Sequence, residues 1–148
     1  MARIEETFIE NRNRVQPNHA NNYDAVHGGN VMKWMDEVGA MSAMRHAGES
    51  CLTASIDRMD FLKPVAVGDI VVIRSYVYEV GRTSVKVRLQ AFAEDPRTGE
   101  REQTTESYFV YVAVDADNHP VEVPELGVET DRDEELRDAA LDGGIDDA

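Results

Sequence analysis

The apolar positions of this chain follow two periods. Over residues 31–44 they are Val31, Met32, Trp34, Met35, Val38, Ala40, Met41, Ala43 and Met44, spread around most of a 3.6-residue wheel. A helix that is apolar on nearly every side is enclosed by its surroundings rather than laid on a surface. The narrow stripe left over is Lys33, Asp36, Glu37 and Ala40. Asn30 suits an N-cap, Arg45 and His46 bring positive charge to the last turn, and Gly48 follows as a C-terminal cap.

Elsewhere the period is two. Leu52, Ala54 and Ile56 alternate with Thr53, Ser55 and Asp57, which predicts a half-buried strand over residues 51–57. Residues 59–64 continue extended into a turn over residues 64–68. Residues 70–80 are rich in β-branched and aromatic side chains and predict a second strand. Beyond a tight connection at Gly81-Arg82-Thr83, Val85, Val87, Leu89 and Ala91 alternate with Lys86, Arg88 and Gln90. Asp95 to Gly99 reads as a hairpin turn, and a last long strand over residues 102–114 ends in a turn over residues 115–120. At the front, Ile4, Phe8 and Ile9 predict a short strand within residues 2–10. Residues 11–27, with Pro17 and five asparagines (Asn11, Asn13, Asn18, Asn21, Asn22), read as loop.

One helix cannot cover a sheet and stay covered itself unless the sheet curls around it. The pattern therefore predicts an α+β fold, a curved, mostly antiparallel sheet wrapped around one long central helix. The outer face and edges of such a sheet invite a second copy.

Composition narrows this further. A chain of 148 residues makes one domain with a sizeable core. Residues 125–148 hold ten acids and two arginines with few large apolar side chains, so an acidic tail, partly helical or disordered, is expected over residues 126–148; a short helix fits residues 134–141 and disorder the last ten or so. The net charge is −14, with three lysines against twelve arginines. Such a surface suits a protein adapted to high salt, where acids hold hydration and ions screen self-repulsion; an ordinary acidic protein is the alternative. It disfavours nucleic acid as a partner. No run of eighteen apolar residues offers a membrane span, and the first residues lack the basic and apolar regions of a signal peptide. The single cysteine, Cys51, excludes an intramolecular disulfide framework and suits a reducing cytoplasm.

The loop and helix start, Asn21-x-x-Asp24-x-x-His27-Gly28-Gly29-x-x-Met32-x-x-Met35-Asp36-Glu37, followed by Arg45-His46, resembles the hotdog-fold acyl-CoA thioesterases, within them the broad-specificity group of YciA-type enzymes and brain acyl-CoA hydrolase. Further matches follow in order: Thr53-Ala54-Ser55-Ile56-Asp57, Asp60-Phe61-Leu62-Lys63-Pro64-Val65, Val67-Gly68-Asp69, Val80-Gly81-Arg82-Thr83-Ser84 and Phe109-x-Tyr111-Val112-Ala113-Val114-Asp115. The resemblance covers roughly residues 8–125 and implies a hotdog thioesterase domain over residues 1–125. One position departs: Asp24 stands where the family usually has glycine.

The resemblance implies hydrolysis of acyl-CoA to a free acid and coenzyme A. That chemistry needs a carboxylate, donors for the developing oxyanion, and a surface for the coenzyme. Asp36 is the carboxylate, as general base or nucleophile; as a plain helix acid it would pair with Lys33 one turn earlier. Glu37 points about 100° away and is expected to be structural or interfacial, or to tune the charge on Asp36. Backbone N–H groups of Gly28 and Gly29 would hold the oxyanion at the helix N-terminus. An asparagine amide would orient the carbonyl or the water; Asn21, fifteen residues before Asp36, fits the family spacing, with Asn22 beside it. In the resembling enzymes the Asn and Gly-Gly come from one subunit and the Asp from its partner, so a dimer, and a trimer of such dimers, is expected. Gly81, Arg82, Thr83 and Ser84 would hold coenzyme A, with Arg58 and Lys63 as secondary candidates. Met35, Met41 and Met44 would line an acyl tunnel or simply fill the core. His27 is expected to shape the pocket, His46 to cap or pack, and His19 and His119 carry no spacing signal. No metal ligand set is apparent, so no metal and no cofactor beyond the substrate's own coenzyme A are expected. A hotdog enoyl-CoA hydratase and a non-catalytic acyl-CoA-sensing domain are the competing readings.

Overall fold

A computed structural model describes residues 2–142. A 20-residue helix, α1 (Gly28–Ala47), runs through the centre. The strands are β1 (Ile9–Arg14), β2 (Ser50–Ile56), β3 (Asp60–Phe61), β4 (Ile70–Val80), β5 (Ser84–Glu94) and β6 (Arg101–Val114). They form one sheet in the order β1-β4-β5-β6-β2, with β3 continuing the β2 edge along β6, and every strand pairing is antiparallel. The sheet curls around α1. Val31, Trp34, Met35 and Val38 of the helix pack against Val71, Ile73 and Val77 of β4, Val85, Val87 and Leu89 of β5, and Phe109 and Tyr111 of β6. Met35 is fully buried, which removes enough apolar surface to contribute about 2 kcal/mol.

Close approach is possible because Gly39 has no side chain. A Cβ there would stand 2.4 Å from the Tyr111 hydroxyl and 3.1 Å from Leu89 Cδ1. The helix ends where Gly48 takes φ 70°, a left-handed conformation that glycine adopts at no steric cost. It starts three residues earlier than expected, with His27 at the N-cap accepting from Gly29 N–H through Nδ1 at 3.4 Å. Asn30 lies inside the first turn, and its amide donates to His19 O at 3.1 Å instead of capping.

Two strand expectations change. The front of the chain is a 3-10 turn (Ile4–Thr7), and the strand follows it, taking in Asn11, Arg12, Asn13 and Arg14, which the sequence pattern leaves as loop. This is an edge strand: its backbone pairs with β4 while charged side chains face out, so no apolar alternation is needed. The β2 strand is not half-buried. Only Cys51 of its residues is partly covered, and Leu52 and Ile56 are 50% and 40% exposed. As the opposite edge of the sheet, it pairs on one side alone.

The outer face carries a second, smaller core of Ile4, Tyr76, Tyr108, Leu136 and Ala140. Its lid is α2 (Asp131–Leu141), capped by the Thr130 side chain, so the acidic segment is helical from Asp131 rather than from residue 134. The buried Asp133 carboxylate ties three segments together. It accepts from Glu5 N (2.8 Å), Glu129 N (3.0 Å) and Thr130 N (3.2 Å), and from Arg3 Nε (3.2 Å). Burial works against the charge, but these hydrogen bonds outweigh it and bring the carboxyl down to about 2. Gly127 is bridged to Arg3, so the chain stays within the fold past residue 125. The disorder expected at the very end falls largely on residues 143–148, outside the described residues.

Candidate active site

Asp36 lies in the third turn of α1, half-buried, and makes no ion pair with Lys33. Its Oδ1 accepts from the Thr53 hydroxyl at 2.7 Å and from the Tyr111 hydroxyl at 3.1 Å. The same phenol reaches the Asp36 backbone carbonyl at 3.0 Å. Oδ2 has no hydrogen-bond partner among the described residues. Tyr111 is fully buried; that burial, then the neighbouring Asp36 carboxylate, pushes its hydroxyl far above the usual phenol range and keeps it a donor. Neither Thr53 nor Tyr111 is singled out by sequence pattern. Both read as alternating strand positions, and only the register Thr53↔Tyr111 across β2 and β6 brings them to one point of the helix.

Asn21 sits in the turn before α1. Its Oδ1 accepts from Tyr23 N (2.8 Å) and Ala25 N (3.3 Å), which commits the oxygen to the loop and leaves the amide N–H groups unpaired among the described residues. Asn22 is exposed and makes no such bonds. Asp24 has φ 57°, the left-handed conformation, which explains a glycine preference at this position and which Asp tolerates better than most residues. Gly28 N–H has no partner among the described residues, and Gly29 N–H has only the long contact to His27. Both lie at the positive end of the helix.

Beside Gly28 opens a cavity of ≈ 250 Å³ lined by Val26, Val31, Phe61, Leu62, Val65 and Thr104, among others. The Phe61 ring closes it, 3.5 Å from where a Gly28 Cβ would be. The three methionines do not line it: Met35 is in the core, Met41 is half-buried and Met44 is exposed.

One chain does not assemble these parts into one site. Gly28 and Asp36 are separated along the helix by about 12 Å at 1.5 Å per residue. An atom held by the Gly28 N–H lies out of reach of its own chain's Asp36. Each chain thus presents two separate groups, an amide half at the start of α1 and a carboxylate half in its middle.

The β4–β5 turn stands near the carboxylate half, because Val85 pairs with Tyr111 and Tyr111 with Thr53. In it, Gly81 N–H donates to Ser84 O at 2.9 Å. Arg82 is exposed, and among the described residues its guanidinium has only a 3.9 Å contact to Glu122. Arg58 and Lys63 are engaged by Asp60 and Glu102.

The histidines take structural roles. His46 is buried; desolvation lowers its pKa from the ordinary value, and its Nε2–H donates to Pro124 O at 2.8 Å. His19 packs edge-on against Trp34. His119 joins Asp115 and Asp117 in an exposed turn where Asp115 Oδ1 accepts both backbone N–H groups, the one grouping of potential metal ligands among the described residues. Sequence spacing did not mark it, and its geometry is that of a self-bonded turn. Burial pushes the Cys51 thiol up to about 11, which makes it a poor nucleophile.

A single long helix inside a curled antiparallel sheet defines the hotdog fold, and that helix carries a carboxylate and, at its start, unpaired amides. The model of the thioesterase superfamily matches residues 23–100. The chain belongs to this family. It is 37% identical over 136 residues to an uncharacterized acyl-CoA thioester hydrolase, YkhA, of Bacillus subtilis, covering 92% of this chain and 79% of that one. Among solved structures, an acyl-CoA hydrolase of Staphylococcus aureus in complex with butyryl coenzyme A and coenzyme A superposes with a TM-score of 0.85 at 32% identity, covering 96% and 86% of the two chains. An apo hexameric acyl-CoA thioesterase gives 0.86 at 34% identity over 95% and 91%. The Staphylococcus aureus enzyme has also been solved with an aspartate, an asparagine and a threonine each replaced by alanine.

Proposed function

We infer that this protein hydrolyses acyl-CoA thioesters, with Asp36 supplying the carboxylate and Asn21, Gly28 and Gly29 of a second copy supplying the amide donors. The observation that carries the reading is the division into two half-sites about 12 Å apart on one helix, each chemically incomplete. The exposed β2 edge, with Leu52 and Ile56 uncovered, supports edge-to-edge pairing of two copies. The hexameric relative supports higher assembly, as a trimer of dimers. In the Staphylococcus aureus enzyme the altered asparagine, aspartate and threonine have the order and spacing of Asn21, Asp36 and Thr53 here, which favours Asn21 over Asn22.

The thioester carbonyl oxygen takes the N–H groups of Gly28 and Gly29 and the Asn21 amide, which stabilise the charge that develops there. As general base, Asp36 Oδ2 takes a proton from water while the water oxygen bonds to the acyl carbon. The C–S bond then breaks, and the departing thiolate takes up that proton. As nucleophile, Oδ2 would bond to the acyl carbon as the C–S bond breaks and the thiolate departs, leaving a mixed anhydride. Water adding to the Asp36 carboxyl carbon of that anhydride would then free the acid, and single-turnover hydrolysis in ¹⁸O water would leave label on the Asp36 carboxylate, which the general-base route never does. The acyl chain enters the cavity beside Gly28. Arg82, Ser84 and the amides of the Gly81–Ser84 turn hold coenzyme A.

Thiol release from a panel of acyl-CoAs tests the reading: the wild-type protein releases coenzyme A, and Asp36→Ala, folded and assembled, does not. Near-normal turnover by Asp36→Ala overturns it. Binding without release would indicate a sensor, and water addition to a 2-enoyl-CoA a hydratase; the hydrolase names of the relatives favour neither. The lone, unreactive cysteine suits a cytoplasmic setting, and the acidic surface suits high salt.

A further inference from the structure

We propose that Tyr111 is a positioning residue for Asp36, which it locks so that Oδ2 alone is presented to the substrate. The proposal rests on the assignment of Asp36 as the reacting carboxylate.

An aspartate on a helix turns about two side-chain bonds, and a base that must meet one water or one acyl carbon loses rate in every other rotamer. Tyr111 removes that freedom in an unusual way. Its single O–H proton faces two acceptors of the same residue, the backbone carbonyl of Asp36 at 3.0 Å and Oδ1 at 3.1 Å. A three-centre bond of this kind fixes the carboxylate relative to the helix axis, because it ties side chain to backbone. Thr53 adds a second O–H to the same oxygen at 2.7 Å. Oδ1 is thus committed to two hydroxyls, and Oδ2 carries the free lone pairs.

The phenol is built into this place from three sides. Tyr111 is fully buried, with its ring against Phe109. Gly39, one turn beyond Asp36, leaves the space the hydroxyl fills, since any Cβ there would overlap it at 2.4 Å. The register holds Tyr111 opposite Thr53 on one side and Val85 on the other, so the ring cannot slide along the helix. A tyrosine that only filled the core would not need its oxygen at this point, nor a glycine opposite it; phenylalanine would serve.

Tyr111→Phe tests this, since it keeps the ring and deletes only the oxygen. The expected result is a fall in kcat of tenfold or more with KM changed less than twofold. In a crystal structure of the variant, the Asp36 side chain is expected in more than one rotamer. Wild-type kcat in folded Tyr111→Phe, or a single unchanged Asp36 rotamer, overturns the proposal. If the variant does not fold, a wild-type crystal structure decides: Oδ1 within hydrogen-bond reach of both hydroxyls sustains it, and a phenol turned away from Asp36 overturns it. Asp36→Ala run alongside separates the two assignments. An active Asp36→Ala removes the catalytic reading itself. An inactive Asp36→Ala with fully active Tyr111→Phe removes only the role of Tyr111.

Discussion

Gly39 and Tyr111 occupy one volume between them: the space denied to a side chain at position 39 is the space taken by the hydroxyl at position 111, 2.4 Å from the would-be Cβ. Gly39→Ala therefore has no neutral outcome. The new methyl displaces the phenol or lifts the helix off β5 and β6, at a cost of about 1–3 kcal/mol for overpacking. A lower thermal midpoint together with a lower kcat is expected, the second because the Asp36 carboxylate loses its clamp. Thermal unfolding and steady-state kinetics on the same preparation check both.

Thr53→Val removes the shorter of the two hydroxyl bonds to Oδ1 without changing shape. Because Thr53 lies on an exposed edge strand, its effect on folding should be below about 0.5 kcal/mol, while kcat falls about tenfold. Thr53→Ser should retain most activity. A Thr53→Val enzyme as active as wild type would show the hydroxyl to be dispensable.

Acyl preference follows from the cavity beside Gly28. Its ≈ 250 Å³ is small beside common ligand pockets of about 300–1,000 Å³. Turnover across acyl lengths should peak at short to medium chains. Phe61→Ala removes the ring that closes the cavity beside Gly28 and should move the peak to longer chains by several carbons. An unshifted profile would place the acyl chain elsewhere.

The Asp133 anchor gives a pH signature for the outer core. Its folded value, about 2, lies below the ordinary 3.8. Its contribution is therefore fully present above about pH 4 and is lost as pH falls through 2. Asp133→Ala leaves several part-buried N–H groups without an acceptor and should cost about 2–4 kcal/mol. Asp133→Asn should flatten the pH dependence of the thermal midpoint between pH 4 and 2. Because Asp36 and the β2 edge lie elsewhere on the molecule, either variant should keep kcat at temperatures where it is folded.

A net charge of −14 makes salt a variable. Screening of the surface repulsion should raise the thermal midpoint steadily between low salt and molar potassium chloride. A midpoint independent of salt would remove the case for a halophilic setting.

The long helix and the strands β4, β5 and β6 were legible along the chain, α1 from apolar positions around most of a 3.6-residue wheel, β4 from its β-branched and aromatic run, β5 from its alternation and β6 from the turns that bound it. The Asn, Gly-Gly and Asp positions were marked by the resemblance to the hotdog thioesterases rather than by any period of the chain. β1 and the exposure of β2 were not legible, for a common reason. Edge strands are held by backbone pairing on one side, so Arg12 and Asn13 carry no apolar signal of the ladder they join, and the alternation of Leu52 and Ile56 marks a strand without giving it a buried face. Asp24 looked like a departure until its φ of 57° showed that the position selects a backbone conformation rather than a side chain. Tyr111 and Thr53 lie 58 residues apart, and only the β2–β6 register makes them partners around Asp36. Local patterning records what each residue needs of its immediate surroundings. The separation of Gly28 from Asp36 follows from the rise of a helix and is local; which distant hydroxyl meets which carboxylate oxygen depends on long-range packing that no local period encodes.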